Sequence, residues 1–121
     1  MQTNDYRTTW EIYAKAWSGV DAAERQALLD QSVHPDCLYT DPMVQCRGHR
    51  ELIAYLEQFQ IGLPGGSFKT HSFRNHHDQA LADWDMLDGS GSSANLGTSF
   101  VRFDESGRLV QITGFFAVRP Q

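Results

Sequence analysis

The chain has 121 residues, room for one domain with one core and no second lobe. Its 40% hydrophobic and 21% charged residues are ordinary for a globular protein, which argues against a disordered or fibrous chain. A formal net charge of -5, with the ten Lys and Arg scattered singly, argues against a nucleic-acid-binding face, which carries a basic excess.

The first elements read as helices. Tyr6, Trp10, Tyr13, Ala14 and Trp17 recur at helical spacing and form one apolar stripe. Thr8 with Glu11 offers a capping box, Asn4 offers an earlier start, and Gly19 stops the helix. Asp21 with Glu24 opens a second helix, whose buried side the pattern assigns to Ala23, Ala27 and Leu28. It fades near Ser32, because Pro35 disfavours helix at His34. The next stretch, His34 to Pro42, reads as a short strand ended by a proline, followed by a loop to Gly48. A third helix then carries Leu52, Ile53, Leu56 and Phe59 on one edge and breaks at Gly62, Pro64, Gly65 and Gly66.

From Ser67 the period changes to two. Strands are expected over 67–77, 79–87, 94–103 and 108–118, joined by turn-forming connectors at 75–78, 88–93 and 104–107. Short connectors between consecutive strands mean an antiparallel meander. Helices segregated to one side of such a sheet define an α+β domain, expected here over 1–121. Strands of about ten residues curve rather than stay flat, and a sheet curved around helices encloses a pocket.

Asp41 is the leading candidate for chemistry. It ends a strand at a chain reversal and shares a face with Tyr39. A carboxylate in an apolar cavity is a competent base; one in solvent that bonds its own turn, toward Val44, is only a cap. Tyr13 and Tyr39 are amphipathic and suit a cavity wall, or a core with the hydroxyl partnered. Ala80, Ala82, Trp84 and Met86 share a strand face, so Trp84 makes a wall for a flat ligand or packs on the helices. Asp83 and Asp85 lie on the opposite face, in solvent or against cations. His71 and Arg74 are expected on opposite faces of their strand, so that either points inward. His76-His77-Asp78 sits in a hairpin turn with no further ligand at a recognisable spacing, so no metal site is expected. Cys37 and Cys46 form no paired framework and read as small packing residues.

No Gly-x-Gly-x-x-Gly, P-loop or Gly-x-Ser-x-Gly is present, so nucleotide binding and serine hydrolysis have no support; the expected chemistry uses no cofactor. No run approaches the roughly 18 apolar residues of a membrane span, and 1–5 lack the apolar core of a signal peptide. The expected compartment is the cytoplasm, with neither membrane nor nucleic acid as partner. The last strand carries apolar residues on both faces, including Phe115 and Phe116, so both faces are covered: one by helices, the other by a second copy packed sheet to sheet.

Four pieces carry a family resemblance: Tyr13-Ala14-Lys15-Ala16-Trp17, His34 to Pro42 with its terminal Tyr-Thr-Asp-Pro, Arg47 to Ile53, and Phe103 to Val110. In that order and spacing the chain resembles the nuclear-transport-factor-2-like cone fold, within it the SnoaL-like polyketide cyclase and ketosteroid isomerase group. The resemblance implies three helices packed on a strongly curved antiparallel sheet around a pocket, and a homodimer. It implies Asp41 as general base and Tyr13 as hydrogen-bond donor to a developing enolate. Where the isomerases keep a protonated carboxylic acid, this chain has Ser99, a weaker donor. The expected wall of the ligand site is Trp17, Tyr39, Phe59, Trp84 and Phe116. The expected function is binding of a small apolar, cyclic or aromatic molecule with cofactor-independent isomerisation or cyclisation. The alternative is a non-catalytic ligand-binding or protein-interaction module of the same fold, and no acid pair with an arginine suggests epoxide hydrolysis.

Overall fold

Alternation of apolar and polar side chains over the second half of the chain builds the sheet, and the first half supplies the helices that close it. In the computed structural model, which describes residues 5–118, the elements run α1 (Tyr6–Lys15), α2 (Ala22–Ser32), β1 (Val33–Asp41), β2 (Val44–Arg47), α3 (Gly48–Gly62), β3 (Ser67–His76), β4 (Gln79–Leu87), β5 (Ser93–Phe103) and β6 (Leu109–Phe116). The six strands form one sheet in the order β2-β1-β6-β5-β4-β3. The meander β3 to β6 is antiparallel, as its short connectors require, while β1 enters beside β6 as a parallel neighbour. This is an α+β cone: three helices on a mostly antiparallel sheet.

The segment between Pro42 and Gly48 is not a loop. A two-residue turn at Pro42-Met43 returns the chain as β2, antiparallel to β1, with Tyr39 opposite Cys46 and Asp41 opposite Val44. Val44 to Arg47 alternate apolar and polar, but over four residues that pattern carries too little signal to read as a strand. Gly48, at φ +81°, makes the bend from β2 into α3, and a Cβ there would sit 3.1 Å from the Pro35 carbonyl. The register of β1 against β6 slips between Val33 and Leu38, across Pro35, which has no N–H to give to a ladder. Further slips fall at Thr70/Ser72, Met86/Leu87 and Arg102/Phe103; such bulges bend strands and give the sheet its curvature.

Two local expectations are corrected. The N-cap of α1 is Asp5, whose carboxylate accepts from the backbone N–H and hydroxyl of Thr8; Thr8 lies inside the helix, and Asn4 lies outside the described residues. In α2 the N-cap is Asp21, as the spacing with Glu24 suggests, but the buried side is Arg25, Leu29 and Ser32, with Ala23 and Ala27 exposed and Leu28 partly buried. Alanine is compatible with either face, so composition alone misassigned it.

Arg25 shows why the face turned. Its Nε donates to the Ala16 carbonyl at 2.9 Å, and its Nη2 donates to Ser18 O at 2.9 Å and Val20 O at 3.2 Å. The guanidinium thus satisfies carbonyls left over where α1 ends, and a positive charge at a helix C-terminus is favourable. Leu29, Leu52, Leu56 and Leu109 are fully buried, each contributing about 2 kcal/mol by leaving water. Trp10 ties α1 to β3 through Nε1 donating to Thr70 Oγ1 at 2.8 Å. Replacing Arg25 by Met keeps the stem but leaves the carbonyls without a partner. The expected result is a loss of about 3 kcal/mol, read as a lower urea midpoint at unchanged slope.

Candidate active site

The concave face of the sheet and the helices enclose a cavity of about 570 Å³. All eight residues expected at a site lie on its wall: Asp41, Tyr13 and Ser99, together with Trp17, Tyr39, Phe59, Trp84 and Phe116. Each has a structural reason to be there. Tyr13 projects from the buried stripe of α1, and Trp17 follows just past its end, still 93% buried. Ala80, Ala82 and Trp84 face inward along β4, and Asp83 and Asp85 face outward.

The aromatic side of the wall is continuous. Trp17 meets Tyr39, Tyr55, Phe59 and Phe68 at ring-centroid distances of 5.2–5.8 Å, and Phe68 and Phe116 meet Trp84 edge-on. Such edge-to-face contacts are the favoured arrangement of aromatic quadrupoles. Trp84 lies over Gly97, its partner on β5: a Cβ at Gly97 would collide with the indole. The Trp84 Nε1 donates to Ser99 Oγ at 3.0 Å, so Gly97 indirectly sets where Ser99 is held.

Asp41 combines the two environments that the sequence left as alternatives. It is 7% exposed, yet its Oδ1 accepts from the turn N–H groups of Met43 at 2.8 Å and Val44 at 3.2 Å. Its Oδ2 accepts from the hydroxyls of Tyr39 at 2.6 Å and Tyr55 at 2.8 Å. Those bonds fill the roughly four acceptor positions of a carboxylate. Gly114 separates Asp41 from Ser99: a Cβ there would be 3.6 Å from both Asp41 Cβ and Ser99 Oγ. The missing side chain leaves the floor of the cavity open between them.

Tyr55 was not anticipated. It lies three residues after Leu52 and four before Phe59, at the rim of the apolar edge of α3, and that spacing was its signal. Burial pushes the phenols of Tyr13, Tyr39 and Tyr55 above their ordinary range. At Tyr13 the Trp17 indole partly offsets the burial; at Tyr39 and Tyr55 the Asp41 carboxylate adds to it. Burial likewise pushes the Cys37 thiol up to about 12, in keeping with a packing residue.

His71 and Arg74 do not point into the cavity, and they are not on opposite faces. The slip between Thr70 and Ser72 inserts His71 as an extra residue, after which alternation resumes out of phase. Both therefore reach outer-face acids: His71 Nε2 lies 3.5 Å from Asp85, and Arg74 Nη2 lies 3.3 Å from Asp83. Hydrogen bonds from Ser72 and Thr98 hold the Asp83 carboxyl below its ordinary range. His76 ends β3 and His77, at φ 52°, begins the turn to β4, and among the described residues no group of three or more His, Cys, Asp or Glu converges as a ligand set. No helix among the described residues is long and apolar enough to cross a membrane.

A curved sheet closed around a cavity by three helices defines the cone-fold class. A family model of the SnoaL-like domain matches residues 10–112, and the chain belongs to that family. Among solved structures, a candidate isomerase of the SnoaL-like family from Agrobacterium tumefaciens str. C58 is similar with a TM-score of 0.86 and 24% identity, over 96% of this chain and 100% of that one. A candidate polyketide cyclase from Sinorhizobium meliloti gives a TM-score of 0.72 and 16% identity, over 94% and 99%. An NTF2-like protein of unknown function from Cytophaga hutchinsonii ATCC 33406 gives 0.69 and 10%, over 96% and 93%. At such identities the likeness is one of fold. Comparison with curated proteins finds no match.

The raised phenols and thiol have a consequence for stability. The native state holds these protons more tightly than the unfolded chain, so their contribution is full below the unfolded pKa and is lost as pH rises through the folded one. The unfolded values are 9.0 for Cys37 and 10.0 for Tyr13 and Tyr39. Stability should therefore fall above about pH 9, by about 1.4 kcal/mol per pH unit for each group ionised only in the unfolded chain. Urea unfolding at stepped alkaline pH checks this, and Tyr13→Phe should flatten the slope by one proton.

Proposed function

We propose that this protein, as one SnoaL-like domain over 1–121, binds a small apolar, cyclic or aromatic molecule in the cone cavity and moves a proton on it without a cofactor. The observation that carries the reading is Asp41, the one carboxylate among the residues lining a cavity otherwise walled by aromatic and apolar side chains. In this reading the carbonyl oxygen of the substrate lies toward Ser99 and Tyr13. Asp41 Oδ2 takes a proton from the carbon beside that carbonyl, and the electron pair moves onto the oxygen, where a hydroxyl donor stabilises it. Return of the proton to another carbon completes an isomerisation; attack of the enolate on a second carbonyl, with Asp41 giving its proton to the alkoxide that forms, completes a cyclisation. Tyr55, partly exposed on α3, is the partner of Oδ2 with room to withdraw as substrate arrives. The isomerase and cyclase descriptions of the similar structures accord with this chemistry.

A second reading, ligand binding without chemistry, is favoured by one observation: every acceptor position of Asp41 already has a donor. The two readings separate in one assay. Exchange of the acidic α-protons of β-tetralone into D2O, followed by NMR, should be accelerated by the protein. Asp41→Asn should lower that acceleration by about 10³-fold with the fold intact by circular dichroism. Equal rates with the wild type and Asp41→Asn, or none above buffer, point to the binding module.

The same proposal places the protein in the cytoplasm as a homodimer joined through the outer sheet face. Leu96 and Phe115 on that face are exposed at 62% and 60%, with Leu81 beside them on β4. Apolar groups gathered on an exposed face mark an interaction surface. Light scattering after size exclusion should give twice the chain mass, and Phe115→Glu should return the monomer without altering the cavity.

A further inference from the structure

At the Asp41 end of the cavity the phenolic hydrogens of Tyr39 and Tyr55 are directed away from a ligand. An ionised carboxylate only accepts, so each phenol bonded to Asp41 Oδ2 commits its single hydrogen to it. What Tyr39 and Tyr55 then present to the cavity are the remaining lone pairs of Oη. The indole N–H groups nearby are committed too, Trp10 to Thr70 and Trp84 to Ser99. The side of the cavity formed by Tyr39, Tyr55 and Asp41 is therefore a surface of acceptors. A carbonyl oxygen placed there would face only lone pairs and would lose its hydration without compensation.

We infer that this end of the cavity recognises a hydrogen-bond donor on the ligand, a phenolic or enolic hydroxyl on a flat ring, and rejects a carbonyl or ether oxygen. The inference rests on the proposed function only in taking the cavity as the ligand site, and it adds the ligand class: a hydroxylated ring compound. A carbonyl on the same molecule is accommodated across the Gly114 floor at Ser99, whose hydroxyl accepts from Trp84 and retains its own hydrogen to give. An end rich in acceptors is also the end that suits the acidic group of a substrate.

Asp41 sets the polarity, and the turn makes it reversible by one atom. The N–H groups of Met43 and Val44 require an acceptor at the Oδ1 position. In Asp41→Asn they hold the amide oxygen there and turn Nδ2 toward the two phenols. Its two hydrogens then donate to Tyr39 and Tyr55, whose hydroxyl hydrogens swing into the cavity. The acceptor surface becomes a donor surface with almost no change of shape.

Isothermal titration calorimetry with β-naphthol, its methyl ether and methyl β-naphthyl ketone tests this. In the wild type, naphthol should bind about tenfold more tightly than either acceptor-only compound, the difference one good hydrogen bond makes. In Asp41→Asn the ketone should equal or surpass naphthol. Equal affinities, or a tighter ketone, in the wild type would overturn the inference while leaving the cavity as the ligand site; this arm needs no variant to fold. Binding of none of the three overturns the cavity reading and the inference together. Neither outcome depends on turnover, so loss of proton exchange alone does not bear on it.

Discussion

The Asp41 carboxylate is the point through which three separately built pieces of the chain are joined. It receives Tyr39 from its own strand, the N–H groups of the β1–β2 turn, and Tyr55 from α3. A buried charge is costly unless hydrogen-bonded, and this one is bonded fully. The bonds therefore fix the hairpin turn, pin α3 against β1, and orient two phenols around the cavity in one arrangement. The same contacts that make the carboxylate tolerable in the interior determine what it offers a ligand, so stability and recognition share atoms here.

Around that polar point the cavity exists because small residues stand where large ones would fill it. Gly114 leaves the gap between Asp41 and Ser99, and Gly97 leaves the space that the Trp84 indole occupies. Large aromatics then form the wall by edge contacts, with the curvature of the sheet holding them apart. Bulges supply that curvature, and the one at His71 also carries its side chain and Arg74 to the outer face, where they meet Asp85 and Asp83. The inner face is left with Asp41 as its charged residue at the cavity, while the outer face pairs Asp83 with Arg74 and Asp85 with His71 and also carries Leu81, Leu96 and Phe115. Arg25 plays the corresponding part at the other end, closing the carbonyls where α1 gives way to α2.

Local patterning was enough for most of the architecture. Periods of 3.6 and two, turn-forming connectors and the proline at 42 placed three helices, β1 and the four-strand meander, because each of these signals acts within a few residues. The same alternation put Trp84 on the inner face and Asp83 on the outer, and the strand-end position singled out Asp41. Three things lay beyond its reach, each for a physical reason. Short β2 spans too few residues for its alternation to be told from chance and forms because β1 offers it an edge. The buried face of α2 is decided by Arg25 finding carbonyls across a turn, a contact no hydrophobicity pattern encodes. The faces of His71 and Arg74 depend on a bulge, and an extra residue in a strand is settled by pairing with β4 rather than by the strand itself. Tyr55 belongs to the same group: its distance from Asp41 in sequence is bridged only when α3 packs on β1. Residue patterns thus decided which side chains line the cavity, and packing between distant elements decided which way their hydrogen bonds point.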